Sequence, residues 1–203
     1  AESYKIVGNI PYYITGHLLR IIGELAASPK RGEPRPEISG RENKPSLIVL
    51  TLQKEVAERI CAQSFDGAQD KPRMNLLAAS VQFWAEPEII GYIPKTAFSP
   101  QPKVDSAIIR LKSTTTPVTF AFRSSRKCYK KEIDKLDCYL DYYKLIKIIF
   151  KQPRKTIVNN LTDGLKIPKE EIIKKLKKLK INPDDRPQNL SISQIIKLIN
   201  VLR

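Results

Sequence analysis

Apolar and polar positions alternate in blocks that change texture along the chain. Residues 4–8 form a short β-like run. Asn9-Ile10-Pro11-Tyr12-Tyr13 follows, and Pro11 keeps Ile10 out of helical geometry, so this stretch is a loop at the end of a strand. Thr15 is placed to cap a helix whose apolar residues Leu18, Leu19, Ile22 and Leu25 share one face. Residues 28–46 carry Pro29, Pro34, Pro36, Pro45, Gly32 and Gly40 among scattered charges and predict a flexible polar insertion. Residues 47–52 are continuously apolar, as in a buried parallel strand. The pattern then predicts a helix over 53–62, with Val56, Ala57 and Ile60 inward, and a second amphipathic segment over 75–84. A strand over 87–92, a proline-studded loop over 93–103 and a last strand over 106–111 complete this part. Strands alternating with helices indicate an α/β domain over residues 1–112.

Beyond residue 111 the pattern becomes helical. Residues 113–141 open on a Ser-Thr-Pro linker and continue lysine-rich and poorly periodic, as a basic linker or insertion. Residues 142–161 read as helix, with Pro153 expected to kink it or split it. Pro168 fits the first position of a helix running to Leu179, with Ile172, Ile173, Leu176 and Leu179 on one face. Ser191 and Gln194 form a capping box for a last helix through Ile195, Ile196, Leu198, Ile199 and Leu202. Residues 142–203 are therefore predicted to be a small all-α domain, and no internal repeat is evident.

Charge sharpens this division. The chain of 203 residues carries a net charge of +15. Residues 1–111 hold 14 basic and 12 acidic side chains, whereas 112–203 hold 22 and 9. A solvated lysine-rich surface would give the same balance. The concentration of charge in the helical part also suits a polyanionic partner, nucleic acid or an anionic membrane surface. Three cysteines without a repeating spacing and the single His17 give no zinc-ligand set and suggest a reducing compartment. No stretch approaches the roughly 18 continuous apolar residues of a membrane span. With no signal peptide visible, a cytoplasmic setting without membrane contact is expected. The chain starts without an initiator Met, almost inside an apolar run, and is expected to be cut from something longer.

Candidate chemistry sits at Asn9-Ile10-Pro11-Tyr12, because ligands of α/β sheets bind outside the carboxyl ends of the strands. An amide oxygen and backbone carbonyls held out by a proline make a cluster of acceptors that suits an exocyclic amine. Two such bonds would turn the amine lone pair toward an electrophile, which is catalysis by positioning. Tyr12 offers a face on which a base stacks, worth roughly 1–3 kcal/mol. A base modified on its amine must lie in a single strand or leave its duplex. Phe98 and Lys103 flank a rigid Pro-x-Pro loop, where Phe98 could close a clamp on the base and Lys103 could meet a phosphate. Taken alone, the first motif also fits an ordinary turn, Phe98 a core position and Lys103 a surface one.

Three stretches together resemble the ribosomal RNA adenine N6-dimethyltransferases, most closely the bacterial enzymes acting on small-subunit rRNA. They are Asn9 to Thr15, Leu52-Gln53-Lys54-Glu55-Val56-Ala57-Glu58-Arg59, and Phe98 to Ser106. In the tail, Phe150 to Thr156 and the stretch from Asn182-Pro183 to Ser191 are similar to the family's helical C-terminal domain. The resemblance covers the chain except 28–46 and about 113–141. It implies the C-terminal part of a Rossmann-like methyltransferase domain that uses S-adenosylmethionine, followed by the helical domain. It implies two methyl groups on each of two adjacent adenosines, in a hairpin near the 3′ end of small-subunit rRNA. The implied partner is a nearly mature small ribosomal subunit, and the implied state is a monomer. By match to the motifs, Asn9 contacts the cofactor and holds the target N6, and the carbonyl of Ile10 or Pro11 takes the other hydrogen. Tyr12 and Phe98 then sandwich the adenine. Lys103, Arg154 and Lys155 face rRNA, and no metal is implied.

The chain departs from that pattern twice. Its glycines, Gly8, Gly16, Gly23, Gly32, Gly40, Gly67, Gly91 and Gly164, include no G-x-G pair. The glycine-rich loop and the acidic residue that hold the methionine and ribose would lie upstream, in about three βα units of ~30 residues each. The chain by itself is therefore expected to be inactive. Pro153 stands where the family usually has a basic residue before Arg154-Lys155. Two other readings fit parts of the chain: a large-subunit rRNA adenine N6-methyltransferase, or a non-catalytic RNA-binding assembly factor without a cofactor half.

Overall fold

The computed structural model describes residues 4–26, 45–62, 73–113 and 135–202. Most of the predicted insertion at 28–46, and residues 114–134 of the predicted linker, lie outside the described residues. The order of elements is β1 (Lys5–Asn9), α1 (Thr15–Ala26), β2 (Leu47–Gln53), α2 (Lys54–Ile60), α3 (Leu76–Gln82), β3 (Ala85–Ile93) and β4 (Ser106–Ser113). Four further helices follow: α4 (Lys135–Ile149), α5 (Ile157–Leu165), α6 (Lys169–Lys178) and α7 (Ile192–Leu202).

The four strands form one sheet in the order β1-β2-β4-β3. β1 and β2 are parallel, as the apolar run of β2 predicts, but β4 pairs antiparallel with both β2 and β3. Register explains the burial. Ile48, Leu50 and Leu52 lie beside Leu111, Ile109 and Ala107, and all six are fully buried. Helices α2 and α3 pack against this part of the sheet. The alternate row runs Val7, Val49, Arg110, Glu88 across all four strands, and Val7 is 79% exposed. In that row the guanidinium of Arg110 pairs with Glu88 and holds its carboxyl below the usual range.

Local chemistry moves several boundaries. A 3-10 turn over Tyr12–Ile14 precedes α1, closed by the Ile14 N–H on the Pro11 carbonyl at 3.1 Å. Thr15 is consequently the first helical residue (φ −52°, ψ −50°) and is buried; it does not cap the helix from outside. Asn75 caps α3, its Oδ1 accepting from Leu77 and Ala78 N–H at 3.0 Å each. Pro168 stands one place before its predicted position. Its ψ of 140° is extended, and its carbonyl accepts from Glu171 and Ile172 N–H. The Ser191–Gln194 box forms as predicted: Gln194 Oε1 accepts from Ser191 N–H at 2.9 Å, and Ser191 Oγ accepts from Gln194 N–H at 3.3 Å.

Pro153 separates α4 from α5, and α4 already begins at Lys135, inside the stretch whose periodicity was too weak to predict a helix. α4 packs on α1 and α3 and also on α5 and α7. Its Tyr142 is fully buried, stacks on Phe83 at 4.0 Å between ring centroids, and donates its hydroxyl to the Ala79 carbonyl at 2.9 Å. One hydrophobic core therefore runs from the sheet into the helical part. α4 and α5 approach closely at Gly164, where a Cβ would lie 2.2 Å from Ile148 Cγ2.

Candidate active site

Parallel pairing of β1 with β2, and antiparallel pairing of β4, bring four chain ends to one edge of the sheet. Asn9 lies beside Thr51, Gln53 beside Ser106, and Ser106 beside Ile93. The carboxyl ends of β1, β2 and β3 and the amino end of β4 thus lie together. Residues 9–13 leave the sheet at this edge, and residues 94–105 return to it there.

Asn9 is the last residue of β1 and is exposed. The ladder continues one step further through the Ile10 N–H, which donates to the Thr51 carbonyl at 3.2 Å. Pro11 is extended (φ −55°, ψ 130°) and turns the chain into the 3-10 turn. Its carbonyl is engaged in that turn. Tyr13 points to solvent, 88% exposed, whereas Tyr12 is half-buried and its Oη lies 3.0 Å from Ser106 Oγ. Two of the predicted motifs, 94 residues apart in sequence, meet in that contact.

The loop carrying Phe98 is closed at its base. Asp105 Oδ1 accepts from the Lys95 N–H at 2.9 Å, and the Asp105 carbonyl accepts from the Lys54 N–H at 3.0 Å. Phe98 is half-buried, and its N–H donates to the Lys95 carbonyl at 3.3 Å. The Ser99–Pro100 peptide is cis. Lys103 is exposed on the same loop. Asn9, Pro11, Tyr12, Phe98 and Lys103 thus all belong to segments leaving or entering one sheet edge.

Arg154 and Lys155 lie elsewhere, in the turn between α4 and α5. That turn is anchored by the buried Asn160, whose Nδ2 donates to the Gln152 carbonyl at 3.0 Å. Arg154 is exposed, and Lys155 Nζ lies 3.2 Å from Asp163 Oδ2 in a solvent-facing pair.

The sequence places Asp105 and Ser106 in the Phe98 to Ser106 stretch but assigns neither a role. A polar pair just ahead of Ala107-Ile108-Ile109 was the available signal, because a buried hydroxyl needs a partner. Among the described residues there is no cluster of side chains that could hold a metal. Half-burial pushes the Cys61 thiol up to about 11, so it is protonated at neutral pH and serves as a packing group. For S-adenosylmethionine, the residues present fit one side only. Asn9, at the open end of an edge strand, can face the donor, but no G-x-G turn accompanies it in this chain.

A model of the family described as ribosomal RNA adenine dimethylase matches residues 1–203. The ribosomal RNA small subunit methyltransferase A of Dehalococcoides mccartyi strain 195 is 31% identical over 191 residues, 94% of this chain and 53% of the relative. That of Fusobacterium nucleatum is 34% identical over 202 residues, 98% of this chain and 62% of the relative. The chain thus spans about half the length of the curated relatives it matches. A dimethyladenosine transferase from Plasmodium falciparum superposes with a TM-score of 0.62 at 22% identity, over 96% of this chain and 65% of that one. The 23S rRNA methyltransferase ErmE superposes with a TM-score of 0.58 at 19% identity, over 99% of this chain and 66% of that one. These likenesses show a shared fold: a mixed sheet with helices packed against it. With every residue covered by the family model and several relatives above 30% identity, the chain belongs to the ribosomal RNA adenine dimethylase family.

Proposed function

We propose that this chain is the base-positioning and RNA-docking part of an enzyme that dimethylates N6 of two adjacent adenosines in a hairpin near the 3′ end of small-subunit rRNA. The observation that carries the reading is the Tyr12–Ser106 contact. It joins the Asn-Ile-Pro-Tyr loop to the Phe98 loop at the edge where Asn9 ends. Family membership supports the reaction class.

In this mechanism the target adenine leaves its stack and lies between Tyr12 and Phe98. In the first transfer Asn9 Oδ1 accepts one N6 hydrogen and the Ile10 carbonyl the other, since the Pro11 carbonyl is engaged by Ile14; in the second transfer N6 carries one hydrogen, which one of the two acceptors holds. Both acceptors strengthen their hold as positive charge develops on N6, which stabilises the transition state more than the ground state. Held so, the nitrogen lone pair faces outward, and the N6 proton departs to water after transfer. S-adenosylmethionine, when bound, supplies the methyl group.

Residues 1–112 serve as the C-terminal portion of the catalytic domain, 113–141 as a link and 142–203 as the rRNA-binding domain. Lys103 meets a phosphate near the target, and Arg154 and Lys155 meet phosphates further away. The protein acts as a cytoplasmic monomer on an immature small subunit. Among the described residues no helix is long and apolar enough to cross a membrane.

The test compares this chain with the longest in-frame protein that contains it, on undermethylated small subunits. The longer protein should yield two adjacent dimethyladenosines, read by mass spectrometry of the digested RNA. The 203-residue chain should bind without transferring methyl groups. A single modified adenosine in large-subunit RNA, or no product from either protein, would overturn the assignment.

A second expectation concerns the tail. Lys151, Arg154 and Lys155 are all exposed on one turn. Replacing the three by Gln should lower the slope of log K against log salt by about 2–3, since each phosphate contact contributes ~0.7–0.9. An unchanged slope in a filter-binding titration would show the charges to be a solvated face only.

A further inference from the structure

We infer that Ser106 is a positioning residue for the target base: its buried hydroxyl holds the phenol oxygen of Tyr12 and sets the stacking face relative to the Phe98 loop. This rests on the amine-holding reading of residues 9–12. Stacking alone does not use the Tyr12 hydroxyl, because a phenylalanine ring offers the same face. Yet the hydroxyl reaches a fully buried serine, 3.0 Å away, the first residue of β4, in the row of Arg110 and not that of Ala107, Ile109 and Leu111. A buried polar group is costly unless paired.

The geometry gives the pair a second effect. The Tyr12 Cβ is carried by the 3-10 turn that the Pro11 carbonyl closes, and the Oη is held at Ser106. The long axis of the ring is thereby fixed at both ends. The preceding residue does the same for the other half of the clamp. Asp105 ties the base of the Phe98 loop through the Lys95 N–H, and ties that base to α2 through the Lys54 N–H. Two consecutive residues therefore set both halves from one point at the start of β4.

The experiment uses the longest in-frame protein that contains this chain and steady-state methylation of small subunits, with Asn9→Ala as reference. Tyr12→Phe and Ser106→Ala delete the same hydrogen bond from its two ends. Each should lower kcat on the order of 10-fold, within the range that a misplaced reacting group costs, and leave KM for the subunit within about twofold. The double variant should be no slower than the slower single, and Ser106→Thr, which keeps a hydroxyl, should recover most of the rate. Were Ser106 merely structural, Ser106→Ala would lower the melting temperature and Tyr12→Phe would keep wild-type kcat. Wild-type kcat in both singles with an inactive Asn9→Ala, or losses that multiply in the double variant, would overturn the inference. If Ser106→Ala does not fold, Tyr12→Phe decides alone. Wild-type transfer by Asn9→Ala removes the amine-holding reading itself, and this inference with it.

Discussion

Asn9→Ala in the complete protein should reduce methyl transfer on the order of 10²–10³-fold while subunit binding stays within about twofold. The side chain lies at the exposed end of β1, so its removal opens no cavity and leaves the ladder to β2 intact. In the proposed mechanism, what disappears is one of two acceptors that fix the amine. Without it the nitrogen lone pair samples orientations that face no donor, and the positive charge developing on N6 loses a partner. Asn9→Asp is the informative companion. It keeps an acceptor oxygen at the same reach but loses the amide N–H₂, so transfer should fall between the wild type and Asn9→Ala. Single-turnover rates and sedimentation with small subunits separate chemistry from docking. Equal loss of rate and affinity in Asn9→Ala would assign the residue to RNA binding instead.

The second large effect concerns stability. Tyr142→Ala should cost about 3–5 kcal/mol, the range for removing a large buried aromatic. The ring is fully buried and stacked on Phe83, and its hydroxyl donates to Ala79 on α3. Tyr142 thus sits where α4 meets the helices that cover the sheet. Tyr142→Phe keeps the ring and should cost about 1 kcal/mol, the net contribution of one hydrogen bond. Urea unfolding, followed both by far-ultraviolet circular dichroism and by Trp84 fluorescence, measures both. In Tyr142→Ala the two probes should separate, because the bundle loses its main anchor to α3. A loss below about 1 kcal/mol with coincident curves would place the joint elsewhere along α4.

Much of this was legible along the chain because it is written in local pattern. The apolar runs of β2 and β4 are long, β-branched and bounded by polar residues. The Ser191–Gln194 box and the break at Pro153 each follow from a few adjacent side chains. What could not be read depends on pairing. Nothing in residues 106–111 says that this strand runs antiparallel between β2 and β3. Gly91, inside the run of β3, is the one local signal for the irregular register between Ile89 and Gly91. α4 begins earlier than the pattern predicts because the charged residues from Lys135 to Asp141 give no clear helical period. At the site, Asn9, Pro11, Tyr12 and Phe98 were visible as motifs. The Tyr12–Ser106 contact was not, since no periodicity links positions 94 residues apart.

The mixed sheet also partitions where the chain can change in length. α1 ends and β2 begins at the edge opposite Asn9, and β4 ends at that same far edge, with Ser113 Oγ donating to the Pro45 carbonyl. Segments 27–44 and 114–134 are therefore both attached there, roughly 20 Å from the Asn-Ile-Pro-Tyr loop by the length of β2. Residues can be gained or lost at those two attachment points while the strand ends at Asn9, Gln53 and Ser106 stay in register. The sheet thus separates a margin open to insertion from one whose spacing is fixed by strand pairing.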